Sequence, residues 1–301
     1  MLLDHGGHKV NEIYGEINIR EELPQILEIL LLDRTKTTAK RTRNIIWAND
    51  NYFSKGREYA SLSEIKSKLV TGIMSGVIKP RALKSRDIQK ARTKQRAEVF
   101  TPVWIVKKQV DEIINSESKN NGDSFIKQKW LEITCGEAPY ITTRYDMETG
   151  IQIEVEKRVG FLDRKLKLIN QKFDNFSEWQ LSVEQAYKAT YGFEWNGDSL
   201  LIARENLLYT YIENHVAKWK KYPKESLLEE IATIISYNLF QMDGLKYIIP
   251  LSETKEKVND GQLSLFDDEP EEYWVTKPGI RVKIMNWETN QMEYFDEGMD
   301  K

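Results

Sequence analysis

The chain has 301 residues, 40% apolar and 30% charged, which supports a sizeable core and excludes a disordered or fibrous protein. No apolar run reaches the ~18 residues that span a bilayer, and no signal-peptide core is present at the start. The expectation is a cytoplasmic protein with no membrane partner. One cysteine, Cys135, excludes an internal disulfide, and with three scattered histidines it offers no metal-ligand spacing, so no metal is expected.

Net charge is only −3, but it is uneven. Residues 81–108 hold nine Lys/Arg against two acids, and residues 34–43 add Arg34, Lys36, Lys40, Arg41 and Arg43 with no acid. Each basic run is either a phosphate-facing surface or a solvated face. Residues 251–301 carry thirteen acids against six bases.

In chain order, residues 19–32 have helical apolar spacing with Pro24 near the start. Residues 44–50 read as a short buried strand or turn, and residues 62–70 and 85–96 as helices. Residues 1–90 thus form a mostly helical, basic N-terminal arm. Phe100-Thr101-Pro102 breaks the pattern, and residues 104–114 are an amphipathic helix. Residues 130–132 form a strand that closes on Glu132 and enters the turn Ile133-Thr134-Cys135-Gly136-Glu137-Ala138. Residues 142–159 read as a polar hairpin or loop, and residues 178–190 as a helix. Residues 191–195 are a strand ending near Glu194, followed by long helices over 199–219 and 224–235. A third strand end lies at 237–240, before Asp243. Residues 252–272 read as a mobile acidic loop, and residues 282–287 as a last strand. Strands and helices alternate through the middle, which defines an α/β class with a mainly parallel sheet over 91–250 and an acidic extension over 251–301.

In open α/β sheets a ligand sits beyond the carboxyl ends of the strands. Glu132, Glu194 and Asp243 close the three candidate strands, an arrangement suited to an adenosine-type ligand without a glycine-rich pyrophosphate loop. Each acid has a plainer alternative: Glu132 as a helix cap, Glu194 and Asp243 as turn residues. Cys135 is expected to be a small buried residue.

The order of these pieces resembles that of the adenine-N6 DNA methyltransferases, and the chain is similar to proteins labelled restriction-modification M subunits. Residues 97–106, around Phe100-Thr101-Pro102, resemble the motif that borders the methionine end of the cofactor. Residues 131–141 resemble the cofactor loop. Tyr191-Gly192-Phe193-Glu194 with Ala203-Arg204-Glu205-Asn206-Leu207 resembles the ribose-binding strand and the helix after it. Residues 238–245 resemble the motif whose acid meets adenine. The resemblance covers about residues 90–250 and implies a Rossmann-like core that binds S-adenosylmethionine through Thr101, Glu132, Cys135, Gly136, Glu194 and Asp243. It also implies DNA as a partner, with Arg92, Lys94 and Arg96 on phosphates.

The departures are specific. Ala138 stands where the family has a second glycine, and Glu132 and Glu194 are 62 positions apart, so an insertion over 142–190 is expected. No Asn/Asp-Pro-Pro-Tyr/Phe tetrapeptide occurs, so the chain has no expected catalytic residue of its own. The chain also ends about where the catalytic strand would be expected. The expected function is the cofactor-binding subunit or half of such an enzyme, with a second polypeptide supplying the catalytic motif. The alternative is a non-catalytic adaptor on a degenerate methyltransferase fold that docks on DNA or on a replication sliding clamp. Gln262-Leu263-Ser264-Leu265-Phe266 resembles the clamp-docking peptide of bacterial proteins, with Gln262, Leu263, Leu265 and Phe266 as the contacts. Those residues alternatively pair as a strand on the protein's own core.

Overall fold

The computed structural model describes residues 17–84, 101–116, 122–259 and 272–298. Asn18 caps the first helix, Ile19–Glu22 (α1), by accepting the Arg20 N–H at 3.1 Å. Leu23 then leaves the helical region, with φ −126° and ψ 60°, because the proline after it crowds a helical conformation. Pro24 itself opens Pro24–Leu31 (α2), where the N–H it lacks has no intrahelical partner anyway. The helix expected over 19–32 is therefore two helices in series.

The expected mostly helical arm is corrected in two respects. Between residues 33 and 84 the chain has only isolated 3-10 turns, and Ser67–Leu69 is all that remains of the helix expected over 62–70. Local pairing wins over helix here. Ile65 N–H donates to Ile45 O at 2.8 Å, Trp47 N–H to Ser63 O at 3.1 Å, and Ala48 N–H to Ser61 O at 2.8 Å. Nor is the segment an arm, since Leu30, Ile45, Trp47 and Ile65 belong to the same buried cluster as Trp179, Leu201, Tyr211 and Ile231. The first basic run is largely engaged within the chain. Arg34 lies 4.3 Å from the Tyr237 ring centre, Lys36 pairs with Asp33 at 3.1 Å, and Arg43 pairs with Glu64 at 2.8 Å.

The centre runs Val103–Ser116 (α3), Gly122–Lys127 (α4), Trp130–Glu132 (β1), Phe161–Lys172 (α5), Phe176–Lys188 (α6), Thr190–Glu194 (β2), Gly197–Trp219 (α7), Glu225–Asn238 (α8) and Leu239–Gln241 (β3). The three strands form one parallel sheet in the order β1-β2-β3, with Trp130 opposite Thr190 and Gly192 opposite Leu239. Two helices link each pair, as parallel neighbours require a crossover. The class is thus α/β. Asn238 fastens α8 to the start of β2: its amide donates to the carbonyls of Tyr187, Lys188 and Thr190 at 2.9, 3.1 and 3.0 Å.

The insertion between β1 and β2 includes a turn, where Asp146 N–H donates to Ile151 O at 2.8 Å, followed by α5 and α6. In the charged run Asp163-Arg164-Lys165, only Arg164 makes a partly exposed ion pair among the described residues, with Asp111. Asp163 is buried and accepts from Thr142 Oγ1 and the N–H groups of Thr143 and Gly160, fixing the start of α5. Lys165 is fully buried and donates to the carbonyls of Gln128 at 2.6 Å and Ala189 at 3.4 Å.

Beyond β3, Thr254–Asn259 (β4), expected to be loop, pairs antiparallel with Glu272–Lys277 (β5), which begins at the last residue of the expected loop. The last expected strand, Lys283–Asn286 (β6), pairs with Gln291–Tyr294 (β7) and not with the parallel sheet. Near this hairpin, Val282 and Phe295 join Phe193, Phe240, Met242 and Ile249 in a second apolar cluster. Among the described residues no helix is long and apolar enough to cross a membrane.

Burial pushes the Lys165 ammonium down from its ordinary 10.5 to about 7. Between those two values the unfolded chain holds a proton that the folded chain does not, so this group makes the fold more stable as pH rises through the window. Lys165→Met should therefore stabilise the protein by about 1 kcal/mol or more at pH 6. The gain should shrink toward pH 10, as read from urea midpoints at each pH.

Candidate functional site

A cavity of about 820 Å³ opens at the carboxyl ends of β1 and β2. Thr101, Glu132, Cys135, Gly136 and Glu194 all line it, so five of the six residues expected around a cofactor come together from three separate stretches of sequence.

The loop after β1 is held from both sides. Glu132 reaches across it and accepts the N–H groups of Tyr140 at 3.3 Å and Ile141 at 3.1 Å. No helix begins there, so Glu132 is not a helix cap; it holds the far end of the loop, and the same side chain also faces the cavity. From the other side, Glu194 Oε2 accepts the Gly136 N–H at 2.9 Å, while its Oε1 accepts from the backbone N–H and the side-chain amide of Asn196, both at 3.0 Å. Cys135 N–H donates to Phe193 O at 2.8 Å, and its thiol fits against Gly192, where an added Cβ would lie 3.3 Å from Sγ. The thiol is buried and its pKa is pushed up, which makes it a packing group, not a nucleophile.

The loop backbone takes the left-handed region three times: at Thr134 with φ +48°, Gly136 with φ +55° and Ala138 with φ +63°. At Gly136 a Cβ would meet nothing within 4 Å, so the backbone there borders open space. Ala138, in the position of the missing glycine, adopts positive φ while fully buried, and its N–H donates to Cys135 O at 2.7 Å. It carries the strain of an L-residue in that region, roughly 1–2 kcal/mol.

The charged lining residues are Glu132, Glu137 and Glu194, and among the described residues no Lys or Arg lines the cavity. Burial raises the pKa of all three, and Glu132, whose carboxyl is withdrawn from bulk water although the residue is only half-buried, is pushed up to about 8. The repulsion between Glu132 and Glu194 adds to this. Glu137 is also bound in place, accepting the Arg81 N–H at 2.8 Å and the Tyr145 hydroxyl. Its carbonyl accepts from Asn206 at 3.1 Å.

Asp243 stands apart. It does not line the cavity, and its Oδ1 accepts the N–H groups of Leu245 at 2.9 Å and Lys246 at 3.2 Å, closing its own turn. Of its two sequence readings, the turn residue is the one the geometry supports. Arg92, Lys94 and Arg96, and likewise Gln262, Leu263, Leu265 and Phe266, lie outside the described residues.

Sequence reasoning missed Trp195, Asn196, Ser199, Met147 and Phe161, which line the cavity together with further residues of the loop after β1. Trp195 and Asn196 directly follow the strand-end acid and precede α7, a position that would have drawn attention to them. Phe161 arrives through the start of α5, and no local signal marks it. Among the described residues no group of three or more His, Cys, Asp or Glu is placed to hold a metal ion. In comparisons with known proteins, the chain matches no family model, no curated protein and no solved structure significantly.

Truncating Glu132 strands two N–H groups, so Glu132→Ala should cost about 1–3 kcal/mol at pH 5. The folded carboxyl titrates near 8 against an ordinary 4.5, so the stability it contributes is complete at acid pH and is lost as pH rises through 8. Urea midpoints should show the gap between the variant and the native chain narrowing from pH 5 to pH 9.

Proposed function

We propose that the chain is the S-adenosylmethionine-binding subunit or half of an adenine-N6 DNA methyltransferase of a restriction-modification system, on a Rossmann-like core. In this reading the catalytic tetrapeptide comes from another polypeptide, DNA is the substrate and the protein works in the cytoplasm. One observation carries the reading: Thr101, Glu132, Cys135, Gly136 and Glu194, singled out from three motifs in the family's order, converge on one cavity at the ends of adjacent parallel strands.

The chemistry of the lining fits such a ligand. Glu194 accepts three hydrogen bonds within the protein and retains one acceptor site on Oε2 for a ribose hydroxyl. With no Lys or Arg among its lining residues the cavity disfavours a pyrophosphate, which argues for S-adenosylmethionine over NAD. Trp195 and Phe161 add aromatic surface for a purine. The adenine contact expected of Asp243 has no support in its position.

A second reading, the adaptor, draws on the pairing of Asn259 with Glu272, which brings together the two ends of the segment holding Gln262, Leu263, Leu265 and Phe266.

Isothermal titration with S-adenosylmethionine tests both. The enzyme-half reading expects micromolar binding, weakened about tenfold or more in Glu194→Ala and changed less than about threefold in Asp243→Ala. A flat titration of a chain shown to be folded by circular dichroism sinks it. The adaptor reading then expects clamp binding that disappears in Phe266→Ala.

A further inference from the structure

The corner between β2 and α7, Trp195-Asn196-Gly197-Asp198, gives the cavity one wall through Trp195 and Asn196. All four residues are held by a stretch far earlier in the chain, Trp47 to Tyr52. Trp195 Nε1–H donates to Ala48 O at 2.9 Å, and Gly197 N–H to Trp47 O at 3.1 Å. Asn196 Oδ1 accepts from Asn49 Nδ2 at 3.1 Å. Asp198, fully buried, accepts from Asn49 Nδ2 at 3.1 Å on one oxygen and from the Tyr52 hydroxyl at 2.7 Å on the other. The stretch bends to make these contacts: Ala48 takes φ +56° while buried, a conformation that an L-residue keeps only where its surroundings enforce it. Asn49 is buried too, and its Oδ1 accepts the Asn51 N–H at 3.0 Å, which fixes the direction of the side chain.

Asn49 and Asn196 form a directed chain of amides, and the carboxylates at its two ends set the direction. Asp198 accepts, so Asn49 turns its Nδ2 toward it, and the same Nδ2 reaches Asn196 Oδ1. Asn196 is left with its own Nδ2 for Glu194 Oε1, at 3.0 Å, beside its backbone N–H at 3.0 Å. Two donors on Oε1 hold the plane of the Glu194 carboxyl. Oε2 then meets the Gly136 N–H at 2.9 Å and keeps its remaining acceptor site at the cavity. A turned Asn196 amide would face Glu194 with an oxygen in place of a donor.

We propose that Asn49 is a positioning residue of the cavity, which acts through Asn196 to hold the Glu194 carboxyl in the orientation that receives a ligand hydroxyl. Asn49 is not part of the lining, so it acts without touching the ligand. Without its amide, the Asn196 side chain loses the donor that fixes it and the Glu194 carboxyl turns more freely. A ligand hydroxyl then loses its acceptor while the rest of the ligand keeps its contacts. The inference rests on the reading of the cavity as a site for a ribose-bearing ligand, and names what sets the preference for the hydroxyl.

The test uses the full chain with Asn49→Ala, Asn196→Ala and, as a control, Tyr52→Phe. The control removes a donor from Asp198 and leaves the chain from Asn49 to Glu194 intact. Without ligand, amide exchange at Gly136 should quicken about tenfold in Asn49→Ala and stay within about twofold of native in Tyr52→Phe. Titrations with adenosine and 2′,3′-dideoxyadenosine then read the hydroxyl directly. The native chain should prefer adenosine about tenfold, and Asn49→Ala should bring that preference to about twofold with dideoxyadenosine binding unchanged. In an Asn196→Ala background Asn49→Ala should change the preference no further. A merely structural role weakens both nucleosides alike and keeps the ratio. Unchanged Gly136 exchange, equal quickening in Tyr52→Phe or a preserved ratio overturns the proposal. No adenosine binding together with quickened exchange removes the ribose reading and leaves the positioning of Glu194 by Asn49 in place. Where Asn49→Ala fails to fold, Asn49→Ser takes its place: its hydroxyl still accepts the Asn51 N–H and is too short to reach Asn196.

Discussion

Helix α7 is buried at every position from Gly197 to Leu208, and a helix in that position has no solvent face there on which to leave its polar groups. Each buried polar side chain must then find a partner, and the partners it finds join the rest of the molecule together. Arg204 donates to the carbonyls of Leu30 and Leu32 at the end of α2, and to Ser236 and Leu239 where α8 meets β3. Glu205 holds Arg20 of α1 in a two-pronged pair at 2.6 and 2.8 Å. Asn206 holds the loop after β1 through the Glu137 carbonyl. Three consecutive residues therefore tie the N-terminal segment, the sheet and the site loop to one axis. The Ala-Arg-Glu-Asn-Leu stretch that drew attention as a family-like motif is, in this fold, the set of fasteners that positions the site.

The site inherits its rigidity from that arrangement. Glu132 and Glu194, from adjacent strands, accept backbone N–H groups from the far end and the middle of one strained loop. Their carboxyls are thus structural and available at once, since each still borders the cavity. Removing either changes the loop as well as the lining, so affinity losses at these positions acquire meaning only beside a stability measurement.

Long, strongly periodic elements were legible in the sequence. The helices over 197–219 and 225–238 and the strand over 190–194 appear within a few residues of expectation, because local spacing alone determines them. The strand-end acids were legible for the same reason, as residues placed by a turn next to a strand. What escaped depends on distant partners. Residues 44–48 are held by Ser61, Ser63 and Ile65, and by Gln241, whose amide both accepts from and donates to the Ile46 backbone at 2.9 and 2.8 Å. Nothing within those residues announces either partner. β4 was hidden by an acidic, turn-rich composition, which resembles a loop even when its backbone pairs. Asp243 carried two readings, and only the position of its neighbours' N–H groups separates them.

The contact between Gly197 and Ile46 reaches beyond this one molecule. A Cβ at position 197 would lie 2.0 Å from Ile46 O, so the start of α7 and the extended segment 44–48 touch backbone to backbone. Neither can drift alone in the course of descent. A lineage that gains a side chain at 197 must first lose or reroute the N-terminal segment, and a lineage that keeps the segment keeps the glycine. The two positions, 151 residues apart, therefore behave as one inherited character, by which true relatives of this chain can be told from proteins that share only its strand-and-helix order.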